Sequence, residues 1–352
     1  MGAVSALASR LPSSNCELGR SRHGREVHIL SLAGAMPSPT MTGERMAAAR
    51  EERIGMSRQR TVERDDREAG AQARRQLLAD APVTERRLEL AGVSTAVLEG
   101  GAGPPVVLLH GQGGWAGLWL PAIAGLARTR HVVAPDLPGL GASGATQGPP
   151  GAETALAWLG ELIDRTCASP PVVVGASLGG SLAVRFAAAH RDRLAGLVLV
   201  STGGLVDKVR LRPAMLLALI RHGTRPSERT ALAMLRQVSV DVERARRRMG
   251  ARWEPFRAYS LALARSPGVR AANRRLLREL GLRQVPPEDL AGLAVPTTLI
   301  WGRQDRVMPL ENAQEAAARY GWALHVIDDA GHFVGIDQPE AFLQALLAAL
   351  GP

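Results

Sequence analysis

Short, unbroken apolar runs recur through most of this chain: PPVVLLHG, HVVAPDLPG, PPVVVGAS, LAGLVLVST, PTTLIWG and ALHVIDD. Each is closed off by Gly, Pro, Asp or Ser. Runs this short that do not alternate with polar residues read as strands buried on both faces, the mark of a parallel sheet sandwiched by helices. Helical stretches separate them at about 115–128, 152–167, 178–190, 310–320 and 338–350. Two more strands, RLELAG and STAVLEG, open the series around a turn. The pattern predicts an α/β fold: a mostly parallel sheet with helices on both faces, built from residues 83–203 and 291–352. At 352 residues and 46% apolar composition the chain has enough material for one sizeable core.

Two regions break the pattern. Residues 1–82 mix Arg, Glu, Ser, Gly and Met with little periodicity, and MAAAREERIGMSRQRTVERDDREAGAQARRQLL shows no core face. We expect a disordered or weakly helical extension there, with Met41, Met46 and Met56 as alternative starts. Residues 204–290 read as helices only, inserted between LAGLVLVST and PTTLIWG. Helices at that point cover the carboxyl ends of the strands, where sheets of this class bind ligands. This helical cap holds 18 Arg and Lys208, the only lysine, against 8 acids, so the net charge of +10 is concentrated there.

A basic surface attracts many anions. No zinc-finger spacing or RNP-like aromatic pattern accompanies it, so nucleic acid is not an expected partner. No run of about 18 apolar residues predicts a membrane span, and the first residues lack the make-up of a secretory signal, so a cytoplasmic location is the default. Cys16 and Cys167 allow one disulfide at most and suggest no metal site.

The chemistry-bearing signal is Gly175-Ala176-Ser177-Leu178-Gly179, directly after PPVVV and, with Gly180 between, just before SLAVRFAAAH. A serine on a tight strand-to-helix turn is held clear of the sheet at a helix N-terminus, and only small residues fit two positions away on either side. There the Leu178 N–H faces any developing oxyanion. A second element, His110-Gly111-Gln112-Gly113-Gly114, ends the strand PVVLL; its glycines leave room for substrate, and Gln112 N–H is the expected second oxyanion donor. An ordinary turn after a strand also favours glycine, and His110 reads as a loop brace. Of the eight histidines, His332 in DDAGHFVG sits in a polar loop after the last strand, at the same sheet edge as Ser177. Its expected partner is Asp305 in WGRQDRVMP, with Asp328 and Asp329 as alternatives too near His332 along the chain to orient its ring easily.

HGQGG, DLPGLGAS (136–143), GASLGG, WGRQDRVMP and AGHF stand in the order and spacing that resemble the α/β-hydrolase superfamily over about residues 85–352. The resemblance implies an eight-stranded sheet and a Ser177–His332–Asp305 triad working through an acyl-enzyme, without metal or organic cofactor. The expected substrate is a small-molecule acyl compound: an ester, thioester or lactone, with an anionic one admitted by the arginines. The tail WGRQDRVMPLENA also resembles the meta-cleavage C–C bond hydrolases, which usually carry Asn before the nucleophile and Trp after the histidine, where this chain has Ala176 and Phe333. C–C bond hydrolysis and a ligand-binding or acyl-transfer role therefore stand as alternatives.

Overall fold

The computed structural model describes residues 43–144, 148–206 and 212–351. The chain divides into two units, Met1–Ile54 and Gly55–Pro352, and everything below concerns the second, apart from the start of the one helix that crosses this boundary. Residues 1–42 of the expected extension, with Met41 and Cys16, lie outside the described residues, as does Lys208.

Eight strands form one sheet: β1 (Thr84–Leu90), β2 (Val93–Gly100), β3 (Pro105–Leu109), β4 (His131–Pro135), β5 (Val172–Ala176), β6 (Gly196–Val200), β7 (Thr297–Gly302) and β8 (Ala323–Ile327). Their order is β1-β2-β4-β3-β5-β6-β7-β8. β2 pairs antiparallel with β1 and with β4, and every later pairing is parallel.

The unbroken apolar runs have the expected cause. In β3, Val107 and Leu109 join one core face, while Val106 and Leu108 join the other. β5 divides in the same way, with Val173 on the first face and Val174 on the second. Successive side chains point to opposite faces, and both faces are covered, so each residue must be apolar.

The helices are α1 (Gly43–Leu78), α2 (Leu120–Leu126), α3 (Ala152–Thr166), α4 (Leu178–Ala189), α5 (Pro213–Thr224), α6 (Glu228–Val238), α7 (Val242–Met249), α8 (Trp253–Arg265), α9 (Pro267–Leu276), α10 (Pro287–Ala291), α11 (Leu310–Tyr320), α12 (Val334–Asp337) and α13 (Pro339–Leu350). Trp158 and Leu162 of α3 and Phe186 of α4 cover the first face, and Ile123 of α2 with Leu346 of α13 covers the second. None of the described helices is long and apolar enough to cross a membrane.

One expectation is corrected and one refined. The stretch without an evident core face is helical as α1, and its last turns bury Gly70, Ala73, Arg74 and Leu77. These positions recur every three or four residues, so they share one face. That face meets Trp115, Trp253, Phe256 and Tyr259 in a separate apolar cluster. Within the segment read as helices only, the stretch SERTALAMLRQVSVDVERARRRMG is broken between α6 and α7. The Ser239 hydroxyl and the Val240 N–H both donate to buried Asp337, and Asp241 accepts the Arg244 N–H to start α7 afresh.

Candidate active site

Ser177 is the whole turn between β5 and α4. Its φ of 50° and ψ of −113° lie outside the regions an L-residue adopts freely. Holding a serine there costs on the order of 1–3 kcal/mol, offset by the surrounding packing. The Ser177 N–H donates to the Val200 carbonyl at 2.9 Å, pinning the corner to β6. A Cβ on Gly175 would stand 2.6 Å from the Gly179 oxygen, and one on Gly179 only 2.3 Å from the Leu109 oxygen. The flanking glycines therefore set how closely β5, α4 and β3 approach.

Asp305 follows β7 and is 5% exposed. Its Oδ1 accepts the N–H groups of Val307 and Met308 at 2.8 and 2.9 Å, and its Oδ2 lies 2.9 Å from His332 Nδ1. A carboxylate there holds the proton on Nδ1 and leaves Nε2 as the acceptor. Asp328 pairs instead with Arg303, at the surface. Ser177 and His332 line one cavity of about 370 Å³.

His110 is 1% exposed, with Nε2 accepting the Leu137 N–H at 2.9 Å and Nδ1 lying 2.8 Å from the Gly111 carbonyl. It braces the glycine loop. Burial pushes its pKa down, and the nearby Asp136 offsets only part of that. Within the loop the Gly114 N–H donates to the Gly111 carbonyl, and the Gly113 N–H reaches Asn273 Oδ1 of α9 at 2.9 Å. Gln112 and Leu178 sit on the cavity wall, and neither backbone N–H has an acceptor among the described residues.

The inserted helices supply much of the remaining wall, including Met215, Leu219, Phe256 and Leu263; the sequence offers the apolar run Pro213–Ile220 as either acyl-pocket lining or core packing, and nothing in it singles out Phe256 or Leu263. Helical periodicity marked these positions as apolar but not which of them face a cavity. Among the wall's charged groups, Arg257 is matched by Glu254 at 3.0 Å and Glu228 at 3.2 Å. Arg270 donates to the Ala264 and Arg265 carbonyls at the end of α8, and no carboxylate pairs with it among the described residues. His222 bonds Thr230 at 3.1 Å, and burial lowers its pKa. No group of three metal-ligating side chains occurs among the described residues.

The model of the alpha/beta hydrolase fold family matches residues 104–339. The chain belongs to that family. It is 28% identical over 280 residues to the 2-hydroxy-6-oxo-6-(2'-aminophenyl)hexa-2,4-dienoic acid hydrolase of Metapseudomonas resinovorans, covering 77% of this chain and 92% of that one. It is 30% identical over 272 residues to the 2-hydroxy-6-oxo-2,4-heptadienoate hydrolase of Pseudomonas putida, covering 73% and 93%. The solved naproxen esterase of Bacillus subtilis superposes with a TM-score of 0.70 at 17% identity, over 82% of this chain and 99% of that one. At that identity the likeness speaks to the fold alone.

Proposed function

We propose that the protein is a serine hydrolase that cleaves an ester, thioester or lactone of a small to medium acyl substrate through an acyl-enzyme on Ser177. The observation that carries this reading is the strained Ser177 corner, which opens on the cavity that also holds the Asp305-bonded ring of His332. His332 Nε2 takes the hydroxyl proton as Ser177 Oγ attacks the acyl carbon, then returns it to the leaving group. Water, deprotonated by the same nitrogen, releases the acyl group. Asp305 keeps the ring in the required tautomer and stabilises its charged form. The N–H groups of Gln112 and Leu178 hold the oxyanion, each typically worth about 3 kcal/mol of barrier. The inserted helices act as a cap that gives the acyl group an apolar chamber.

A second reading, C–C bond hydrolysis of a dienoate, is favoured by what the two named relatives act on. It requires a cation for the substrate carboxylate, and Arg270 is the wall arginine free of a carboxylate partner among the described residues. Against it, Ala176 and Phe333 present only carbon to the cavity at the positions where that subfamily usually has Asn and Trp. A fluorophosphonate probe tests the nucleophile. Wild type is expected to label and Ser177→Ala is not; an unlabelled wild type overturns the reading in favour of a binding role. A panel of p-nitrophenyl esters, acyl-CoAs and vinylogous diketones then separates the two hydrolytic chemistries.

A further inference from the structure

Four large apolar side chains stand about half exposed among the described residues: Leu216 at 49%, Leu217 at 47%, Ile220 at 54% and Leu282 at 53%. All four belong to the inserted segment, and three lie on α5. That helix is two-faced. Met215, Leu219 and His222 turn inward to the cavity, while Leu216, Leu217 and Ile220 form one outward stripe. A surface helix ordinarily turns its polar side to water. Apart from Thr224, whose hydroxyl donates to the Ile220 carbonyl, the exposed polar side chains beside the stripe are arginines: Arg212, Arg221 and Arg225, with Arg229 at the start of α6. None of the four guanidinium groups has a carboxylate or carbonyl partner among the described residues. The nearby Glu228 is taken by Arg257 at 3.2 Å.

The composition of this face selects its occupant. A second copy docked by two-fold symmetry would set the same arginines against one another, with only Glu228, already paired with Arg257, beside them among the described residues. An apolar stripe bordered by unpaired cations is instead the make-up of a helix that lies in the headgroup plane of an anionic membrane. Arginine suits that place, because its planar fork matches phosphate oxygens. We propose that the outer face of α5 docks on an anionic phospholipid bilayer, with Leu216, Leu217 and Ile220 entering the acyl boundary and Arg212, Arg221 and Arg225 against the phosphates. Docked in this way, the helix that walls the cavity is the one at the lipid surface. Vesicle binding is independent of catalysis, so this inference stands or falls apart from the Ser177 reading.

The test is co-sedimentation of the full chain with vesicles of phosphatidylcholine, alone or mixed with phosphatidylglycerol. Binding is expected to the mixed vesicles, weakening with added salt. It should fall about tenfold or more in L216E/L217E/I220E and also in R221E/R225E, because each Arg near such a surface contributes on the order of 1 kcal/mol. Circular dichroism and thermal melts of both variants should match wild type, which reports that they are folded. Absence of binding to the mixed vesicles, or equal binding by both variants, overturns the proposal. So does a concentration-dependent dimer that L216E/L217E/I220E abolishes while vesicle binding persists.

Discussion

His110 sits at the head of the glycine loop with one ring nitrogen accepting and the other facing a carbonyl. That arrangement needs the neutral ring, and burial lowers the folded pKa below its usual value. In the unfolded chain the ring takes up a proton near pH 6.5. Stability is therefore complete above about pH 6.5 and is lost as pH falls from there toward the depressed folded value, at up to about 1.4 kcal/mol per pH unit. Thermal melts of wild type and His110→Gln across pH 5–8 check this. The variant should start lower and lack this component of the slope. Identical slopes would assign the pH dependence elsewhere. Asp337 has the opposite sign: burial raises its carboxyl pKa, so its ionisation disfavours the fold as pH rises past the usual carboxylate range.

Among the elements, the end of α1 carries a charge that the fold cannot leave unpaired. Arg74 is 6% exposed and reaches Asp136 at 2.9 Å, Glu85 at 3.2 Å and the Tyr259 hydroxyl at 3.0 Å. Its guanidinium lies 4.7 Å from the centre of the Trp115 ring. Burial alone would lower its pKa; Asp136, then Tyr259 and Glu85, outweigh that and raise it. Asp136 in turn accepts the Ala116 N–H at 2.6 Å and the Ala142 N–H at 2.7 Å. It thus joins the DLPGLGAS loop to the turn after the glycine loop. One arginine thereby ties α1, the sheet edge, the glycine-loop region and α8 together. Arg74→Met should cost about 3–5 kcal/mol, because it strands the Asp136 carboxylate in the core. Arg74→Lys should recover only part, since an ammonium cannot span the same partners. Chemical denaturation of the three proteins reads both values, and a loss within 1 kcal/mol for the Met variant would mean that Asp136 is satisfied without it.

At the scale of the molecule, the cavity lies between the carboxyl edge of a rigid sheet and a helical insertion. The sheet side brings Ser177, His332 and the glycine loop, and the insertion brings mainly apolar wall. On the proposed function, acyl length is then read by burial. From p-nitrophenyl acetate upward, kcat/KM should rise by up to about fourfold per methylene, the equivalent of roughly 0.8 kcal/mol, until the chamber is full. A flat series would place the acyl group outside the cavity. The Gly113–Asn273 hydrogen bond links the insertion to the loop that carries Gln112.

The features readable from the sequence are those whose physics is local or repeated. Strands buried on both faces must be apolar at every position, so β3, β5 and β6 stood out. The Ser177 corner leaves no space at Gly175 or Gly179, which forces the motif. The pairing of Asp305 with His332 followed from both lying at strand ends on one edge. Tertiary structure alone decided what depends on distant partners. Whether Arg74 is a solvated charge or a buried anchor is set by Asp136 and by Tyr259, 185 positions away. Gly70, Ala73 and Leu77 make a stripe too small and too short to register among so many charged neighbours. The break between α6 and α7 rests on Asp337, about a hundred residues later. On α5, a single apolar run was divided between chamber wall and exposed stripe by which side faced the cavity, and no periodicity within Pro213–Thr224 contains that choice.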